Sequence, residues 1–216
     1  MDIKIKFFIL SLVAALCHSQ RVELVCDVTE MSFGDMTNLP TCIIAGDFKI
    51  LTQNTHIFVR DLQKLSKIRG LVAKNKEILY LPPGNEHHVW YTKAAVITDS
   101  KLRKITSDNL MSFKHLEYLD MSHNEIDILG PNLFQFNPNL RTLILDGNKI
   151  QIIDSTIFKE MPSLVYLGLN DNGCISKVTD NCNEILDATE FIGTDCWDEK
   201  LEMLKESMEN QCKVNY

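Results

Sequence analysis

Apolar residues recur at a fixed spacing of 24 positions through the middle of the chain, most clearly over residues 116–172. The aligned apolar columns contain Leu116, Leu140 and Leu164; Leu119, Leu143 and Leu167; and Met121, Leu145 and Leu169. An asparagine column follows them, with Asn124, Asn148 and Asn172. Self-similarity at this period predicts a solenoid, because each copy buries its apolar face only by stacking on its neighbours.

Within each copy, apolar and other residues alternate, which is the period of a β-strand. In residues 117–122, Leu119 and Met121 are expected in the core, and the residues between them point away from it. Stacked copies therefore predict a parallel sheet with one strand per copy. The asparagine follows the strand, where its amide can hydrogen-bond peptide groups of its own turn and of the next one.

Two weaker copies precede these, at residues 92–115 and 68–91. They carry apolar residues at the core columns, but Ser100 and Lys76 stand where asparagine is expected. A lysine cannot be buried in such a turn without a large free-energy cost, so we expect the asparagine ladder to fail toward the N-terminus. The repeats are thus assigned to residues 68–173.

The first 19 residues differ from the rest of the chain. Lys4 and Lys6 precede an apolar run that ends near Ser19, which is the pattern of a secretory signal peptide. The run is too short to span a bilayer, and no later segment has the pattern of a membrane or lipid anchor. We therefore expect a secreted, extracellular product without a membrane anchor.

Beyond the signal peptide, six cysteines flank the repeats: Cys26, Cys42, Cys174, Cys182, Cys196 and Cys212. An even number in an oxidising compartment predicts three disulfides. Cys26 and Cys42 would close a small loop in an N-terminal cap at residues 20–67. The other four belong to a C-terminal cap at residues 174–216, and their pairing stays open among three possibilities. A helix is predicted over about 198–211 from its apolar spacing.

The motif LxxLxLxxNxI, followed by a Leu-Phe or Ile-Phe pair, resembles the repeats of extracellular leucine-rich repeat proteins. With the signal peptide and the cysteine-bounded flanks, the chain is similar to small secreted members of that family from invertebrates, particularly insects. This resemblance implies an α/β fold, a leucine-rich repeat solenoid with a curved parallel β-sheet on its concave face and disulfide-bonded N- and C-terminal caps. It also implies non-catalytic binding of a protein or microbial-surface ligand, with innate-immune recognition as the favoured role.

The outward positions of the concave strands are free of the repeat's requirements and are the candidate ligand contacts. They comprise Val96, Tyr118, Asp120, Ser122, Thr142, Ile144, Asp146, Tyr166 and Asn170. Mixed aromatic, aliphatic and acidic residues of this kind are typical of protein interfaces. The competing interpretation is that Tyr, Val and Ile stand there because they favour strands and stabilise cross-strand pairs.

Charge and motifs narrow the possible functions. The net charge of −7 argues against nucleic acid and anionic membranes as the main partners. The sequence contains no metal-ligand spacing and no nucleophile motif, so we expect no metal, no cofactor and no enzyme activity. The alternative functions are a matrix or developmental signalling partner, a structural assembly protein, a secreted enzyme inhibitor, and a hydrolase that uses Asp120 and Asp146. We expect a monomer or a weak oligomer.

Overall fold

A computed structural model describes residues 20–47, 49–52, 55–58, 66–81, 91–154, 157–173 and 178–179. The predicted signal peptide, the predicted helix at about 198–211, and Cys174, Cys182, Cys196 and Cys212 lie outside the described residues. Within the described ranges, no helix is long and apolar enough to cross a membrane.

Most of the regular structure in the described residues is β-strand. The strands are β1 (Gln20–Glu23), β2 (Cys26–Phe33), β3 (Met36–Ile44), β4 (Lys49–Ile50), β5 (Thr55–Phe58), β6 (Gly70–Lys74), β7 (Glu77–Ile78), β8 (Ala94–Thr98), β9 (Tyr118–Asp120), β10 (Ile128–Leu129), β11 (Thr142–Ile144), β12 (Ile152–Ile153), β13 (Tyr166–Gly168) and β14 (Val178–Thr179). One short helix, α1 (Ser107–Leu110), and one 3₁₀ turn (Ile157–Glu160) lie on the side of their coils opposite the strands of the largest sheet.

The largest sheet has the order β14-β13-β11-β9-β8-β6-β3-β2. From β3 to β13 its strands are parallel, and Ala94 pairs with Tyr118, Tyr118 with Thr142, and Thr142 with Tyr166. Those last three pairings repeat the 24-residue step of the sequence. The predicted stack of parallel strands, one for each copy, is therefore confirmed.

The core consists of the apolar columns that the repeat predicts. Leu116, Leu119 and Met121 are at most 1% exposed, and the equivalent residues of the next copy, such as Leu143, are fully buried. Each strand has only three to five residues in this region, so its stability comes from stacking on both neighbours rather than from its own length. The result is a continuous core along the solenoid.

The ladder of asparagines runs toward the preceding coil rather than toward the next one as predicted. Oδ1 of Asn124 accepts hydrogen bonds from the backbone N–H groups of Ser100 and Leu102, at 3.1 and 3.0 Å. Its Nδ2 donates to the carbonyl of Ile97 and to carbonyls of its own turn. The direction follows from the turn, which brings the amide beneath the strand that comes before it.

The ladder changes chemistry toward the N-terminus, as expected. Ser100 donates its hydroxyl to the carbonyl of Thr98 and accepts from the backbone N–H of Lys76, at 3.3 Å. The ammonium group of Lys76 is not buried in the turn but reaches the carbonyl of Gly46 in the N-terminal cap, at 2.6 Å. A charged side chain at this column is tolerated because it points out of the stack.

A second column of the repeat lies one residue before the asparagines. Asn75, Asp99, His123, Gly147 and Asp171 all have φ between 52° and 64°. Asparagine, aspartate, histidine and glycine are the residue types most often found in this left-handed region. The shared backbone turn therefore explains a set of residues that otherwise have no common chemistry.

The N-terminal cap is an antiparallel hairpin of β2 and β3, where the sequence predicted only a turn-rich loop. The predicted Cys26–Cys42 disulfide joins its two strands, and Cys42 is fully buried in the core. β3 also pairs in parallel with β6, and β4 with β7, so stacking begins before residue 68. The hairpin thus both covers the end of the core and continues its sheet.

Candidate binding surface on the concave sheet

The concave face has a covered half and an open half. The covered half consists of outward residues of β6 and β8, namely Val72, Ala94 and Val96, which are at most 5% exposed. They pack with Phe33 in a second apolar cluster, separate from the main core. Val96 therefore lies on the predicted face, but the prediction that it is available to a ligand is wrong, because the hairpin covers it.

The hairpin reaches this face through its tip, residues 33–36. Gly34 has φ of 57°, which allows the tight turn between β2 and β3. Beneath the tip, a Cβ added at Gly70 would lie 2.3 Å from Oγ1 of Thr41 and 3.0 Å from the ring of Phe33. The absence of a side chain at Gly70 is what lets the hairpin pack flat against the sheet.

The open half consists of the outward residues of β9, β11 and β13 and the turns after them. Its members are half-buried side chains that no segment of the described chain covers completely: Tyr118, Asp120, Thr142, Ile144, Asp146, Tyr166 and Asn170. Ser122, the remaining predicted contact, is only 9% exposed. Its hydroxyl and backbone N–H both donate to Oδ1 of Asp120, at 2.7 and 2.9 Å, so it orients that carboxylate.

Asp146 is the second acidic group of the open half that the backbone holds in place. Its Oδ1 accepts a hydrogen bond from the backbone N–H of Asn170 at 2.7 Å, and a Cβ at Gly168 would lie 2.8 Å from the same oxygen. Burial raises the pKa of the Asp146 carboxyl; the Asn170 hydrogen bond opposes this, and the negative charge of Asp120 adds to it. Asp120 and Asp146 are therefore near enough to repel each other.

Tyr118 marks the border between the two halves. Its ring contacts that of Phe33 in the hairpin tip, with the centroids 5.6 Å apart and the planes inclined by 53°. Burial raises the pKa of its hydroxyl, and the charge of Asp120 raises it further. Tyr118 thus supports the tip on one side and borders the acidic groups on the other.

A cleft of about 130 Å³ lies between the hairpin tip and the first residues of β9 and β11. Phe33, Met36 and Tyr118 contribute to its walls, and Thr142 and Val165 lie on the side away from the hairpin. An ion pair between Asp35 and Arg141, with 3.1 Å between Oδ2 and Nη1, connects the tip to the coil of β11. We call this space the tip cleft.

Sequence reasoning missed the residues that the hairpin brings to this surface. Phe33, Asp35 and Met36 lie outside the repeats, and Arg141 lies one position before an outward column. The available signal was the Gly34-Asp35 turn inside a stretch of alternating apolar residues, which is a hairpin pattern. Nothing in that pattern indicates which part of the sheet the tip would contact.

The chemistry of the open half is that of recognition. It offers two aromatic rings, a partly exposed aliphatic side chain and carboxylates that accept hydrogen bonds. Within the described residues, no group of three or more His, Cys, Asp or Glu side chains is arranged to hold a metal ion. Asp120 is engaged by Ser122, and Asp146 by Asn170, so both carboxylates are held in place as acceptors.

Residues 96–150 and 138–191 match the family model described as Leucine rich repeat. These two stretches include strands β9 to β13 and all three ladder asparagines. The fold is therefore a leucine-rich repeat solenoid, with the parallel sheet that the sequence motif implied.

The similar proteins match only parts of the chain. Leucine-rich repeat-containing G-protein coupled receptor 5 of Rattus norvegicus is 41% identical over 64 residues, 30% of this chain and 7% of that protein. Lumican of Mus musculus is 42% identical over 66 residues, 31% of this chain and 19% of that protein. Keratocan of Danio rerio is 27% identical over 128 residues, 56% of this chain and 36% of that protein. The chain spans little more than a third of even the last of these relatives.

Solved structures agree on the fold. The LRIM1/APL1C complex matches with a TM-score of 0.54 at 21% identity, over 72% of this chain and 27% of that chain. The APL1 leucine-rich repeat domain matches with a TM-score of 0.53 at 22% identity, over 61% of this chain and 35% of that chain. At these identities the likeness establishes architecture and leaves the ligand to be argued from this chain's own residues.

Proposed function

We propose that this leucine-rich repeat protein is a secreted, non-catalytic binding protein that engages a protein or microbial-surface ligand through the open half of its concave sheet. The observation that carries the proposal is the open half itself. Tyr118, Ile144 and Tyr166 stay partly exposed beside two oriented carboxylates, although the repeat requires none of these residues. Aromatic anchors with a polar surround are typical of protein-binding surfaces.

Secretion is part of the same proposal. It is supported by the predicted signal peptide and by the Cys26–Cys42 disulfide, since structural disulfides persist mainly in oxidising compartments. Innate-immune recognition is the role favoured by the resemblance to small secreted invertebrate proteins of this family. A matrix or developmental signalling role uses the same surface, and the identity of the captured ligand distinguishes the two.

The test compares two aspartate substitutions on opposite sides of the solenoid. Ile144→Asp, combined with Tyr166→Ala, places a charge in the open half and removes an aromatic ring. The control, Ile152→Asp, places the same charge on the far side at a residue that is 53% exposed. Both variants are expected to keep the wild-type circular dichroism spectrum.

The wild-type protein and both variants are immobilised and exposed to the extracellular fluid of the source organism and to a panel of microbial polysaccharides. We expect a ligand to be retained by the wild type and by Ile152→Asp and lost by the Ile144→Asp, Tyr166→Ala variant. Equal retention by all three would place the site elsewhere and refute the proposal. A host protein as ligand would favour signalling or matrix functions, and a microbial polysaccharide would favour immune recognition.

A further inference from the structure

We propose that the tip cleft is an anchoring pocket for one apolar side chain of a protein ligand, and that a basic side chain of the same ligand segment pairs with Asp120 and Asp146. The inference rests on the proposed function and adds a partner of stated chemistry, an apolar-basic peptide segment. It also makes the hairpin tip, which is no part of the repeats, a component of the binding site.

The size of the tip cleft suits a single side chain. A cavity of about 150 Å³ lined by apolar residues accommodates benzene, so the cleft's volume of about 130 Å³ corresponds to one small ring or one branched aliphatic group. Phe33 is 5% exposed and Tyr118 is half-buried, so these walls are already held by packing. A preformed pocket costs a ligand little reorganisation on binding.

The charged groups around the tip cleft are paired with one another. Asp35 and Arg141 form an ion pair across its edge, and Glu117 pairs with Lys93 at 2.7 Å. Both pairs leave the cleft interior without an uncompensated charge. An apolar side chain can therefore enter without leaving a buried ion unpaired, which would be costly.

The surface next to the tip cleft has the opposite character. Asp120 pairs with Ile144 across β9 and β11, and Asp146 follows Ile144 by two residues, so the two carboxylates are diagonal neighbours on this face. Their charges repel each other, Asp171 adds a further negative charge, and His123 is a nearby basic side chain. His123 lies against the Gly147 backbone, where a Cβ would be 2.5 Å from its Nδ1. A ligand ammonium or guanidinium group placed here would reduce the repulsion, which gives charge complementarity to a basic segment.

The two subsites are linked by one strand. Tyr118 and Asp120 are two residues apart in β9, so they point to the same face about 7 Å apart. An extended ligand segment would present its apolar and basic side chains at the same spacing, two residues apart. A helical ligand would present them three or four residues apart. The acidic surface disfavours nucleic acid and anionic polysaccharide as occupants of this site.

The experiment uses a random peptide library displayed on phage and selected on the full-length protein. We expect the enriched peptides to pair a Leu, Met or Phe with a Lys or Arg at one of these spacings. Two variants then test the subsites separately: Val165→Trp fills the tip cleft from a residue that is 45% exposed, and the double variant Asp120→Asn, Asp146→Asn removes the charges. Each is expected to weaken binding of the selected peptides by about tenfold or more.

Two further variants show whether the loss of binding in Val165→Trp comes from filling the tip cleft rather than from adding a large side chain to the surface. Val25→Trp adds the same ring at a residue that is 52% exposed and distant from the tip cleft, and it should leave peptide binding unchanged. Met36→Ala enlarges the pocket, so peptides selected on that variant should shift from aliphatic toward larger aromatic anchors. A merely structural role of Met36 would not produce such a shift.

The outcomes separate this inference from the proposed function. Peptides that are lost with Ile144→Lys, which places a positive charge beside Asp120, but bind Val165→Trp and Met36→Ala as they bind the wild type would overturn the pocket and leave the open half as the binding face. Peptides indifferent to Ile144→Lys would count against both. A selection that yields no peptide dependent on the tip cleft also overturns the pocket, because a preformed site of this chemistry should be selectable.

Discussion

The covered and open halves of the concave sheet carry similar outward residues in different surroundings. Val72 and Val96 in the covered half are buried beneath the hairpin, whereas Ile144 and Tyr166 in the open half stay partly exposed. β-branched and aromatic residues favour strands wherever they stand. Residue type alone therefore does not distinguish a binding surface from an internal contact, and the difference is made by a segment that comes from outside the repeat.

The two halves also differ in how their turns are held. In the C-terminal copies each turn is fixed by a buried or partly buried asparagine, and Oδ1 of Asn148 accepts a hydrogen bond from the N–H of Ile126 at 3.1 Å. In the N-terminal copies Ser100 and Lys76 make fewer bonds, and Lys76 uses its charge to hold the cap. The hairpin thus covers the half of the sheet whose internal ladder is weaker.

The largest expected effect comes from the ladder at the border between the halves. In Asn124→Ala, the buried N–H groups of Ser100 and Leu102 lose their acceptor. At about 1–3 kcal/mol for each, the free energy of unfolding should fall by about 4 kcal/mol. In Asn148→Ala only one buried N–H group, that of Ile126, loses its acceptor, so the free energy of unfolding should fall by about 2 kcal/mol.

Urea unfolding of both variants measures the comparison, with the exposed Asn139→Ala as control. Equal losses for Asn124→Ala and Asn148→Ala would show that the number of orphaned N–H groups does not govern stability here. No loss in either variant would refute the structural role of the ladder.

The second largest effect concerns the hairpin that covers β6 and β8. Phe33→Ala removes the ring that packs on Val96 and Tyr118, and loss of a buried phenylalanine costs about 3 kcal/mol or more. We expect amide hydrogen exchange to become faster in β2, β3, β6 and β8 and to stay unchanged in β11 and β13. Equally faster exchange along the whole solenoid would mean that the two halves unfold as one unit and would contradict the division proposed here.

The smallest effect tests the electrostatics of the open half. Because the pKa of Asp146 is raised in the folded chain, its ionised form destabilises the fold at neutral pH, and this loss disappears as the pH falls through that pKa toward the ordinary value of 3.8. Asp146→Asn removes the charge and keeps an oxygen that can accept from Asn170. The variant should be more stable at neutral pH by less than about 1 kcal/mol, since solvent screens this partly exposed group.

Thermal melts of Asp146→Asn and the wild type between pH 3 and pH 8 check the sign. The two curves should converge at the acidic end. A lower melting temperature for Asn at neutral pH would show that the charge strengthens the Asn170 hydrogen bond by more than repulsion costs.

The repeat made most of the fold predictable from sequence. Leu119, Leu143 and Leu167 occupy the same environment in consecutive copies, so the same sequence pattern specifies a buried strand position three times. The direction of the asparagine bonds was not predictable, because it depends on whether the turn lies beneath the preceding or the following strand. The burial of Ser122 was not predictable either, because it accompanies a hydrogen bond from its hydroxyl to Asp120.

The position of the hairpin on the sheet is the part of the candidate site that could not be predicted from the sequence. Phe33 and Tyr118 are remote in the chain, and their contact depends on the curl of β2 and β3 and on the missing side chain at Gly70. Because the sequence did not show where the hairpin packs, Val96 was predicted to be a ligand contact. An outward position in a repeat can be judged only once every non-repeating segment has been placed.

The cover over β6 and β8 also sets the dimensions of any complex. Strands in a sheet are about 4.8 Å apart, so the centres of β9 and β13 are separated by about 10 Å, which is close to the diameter of one α-helix. A standard interface buries about 800 Å² on each partner, far more than three strands of three residues can present. A tightly bound partner must therefore extend beyond the open half onto the hairpin or the edges of the coils, whereas a single peptide segment fits within the open half.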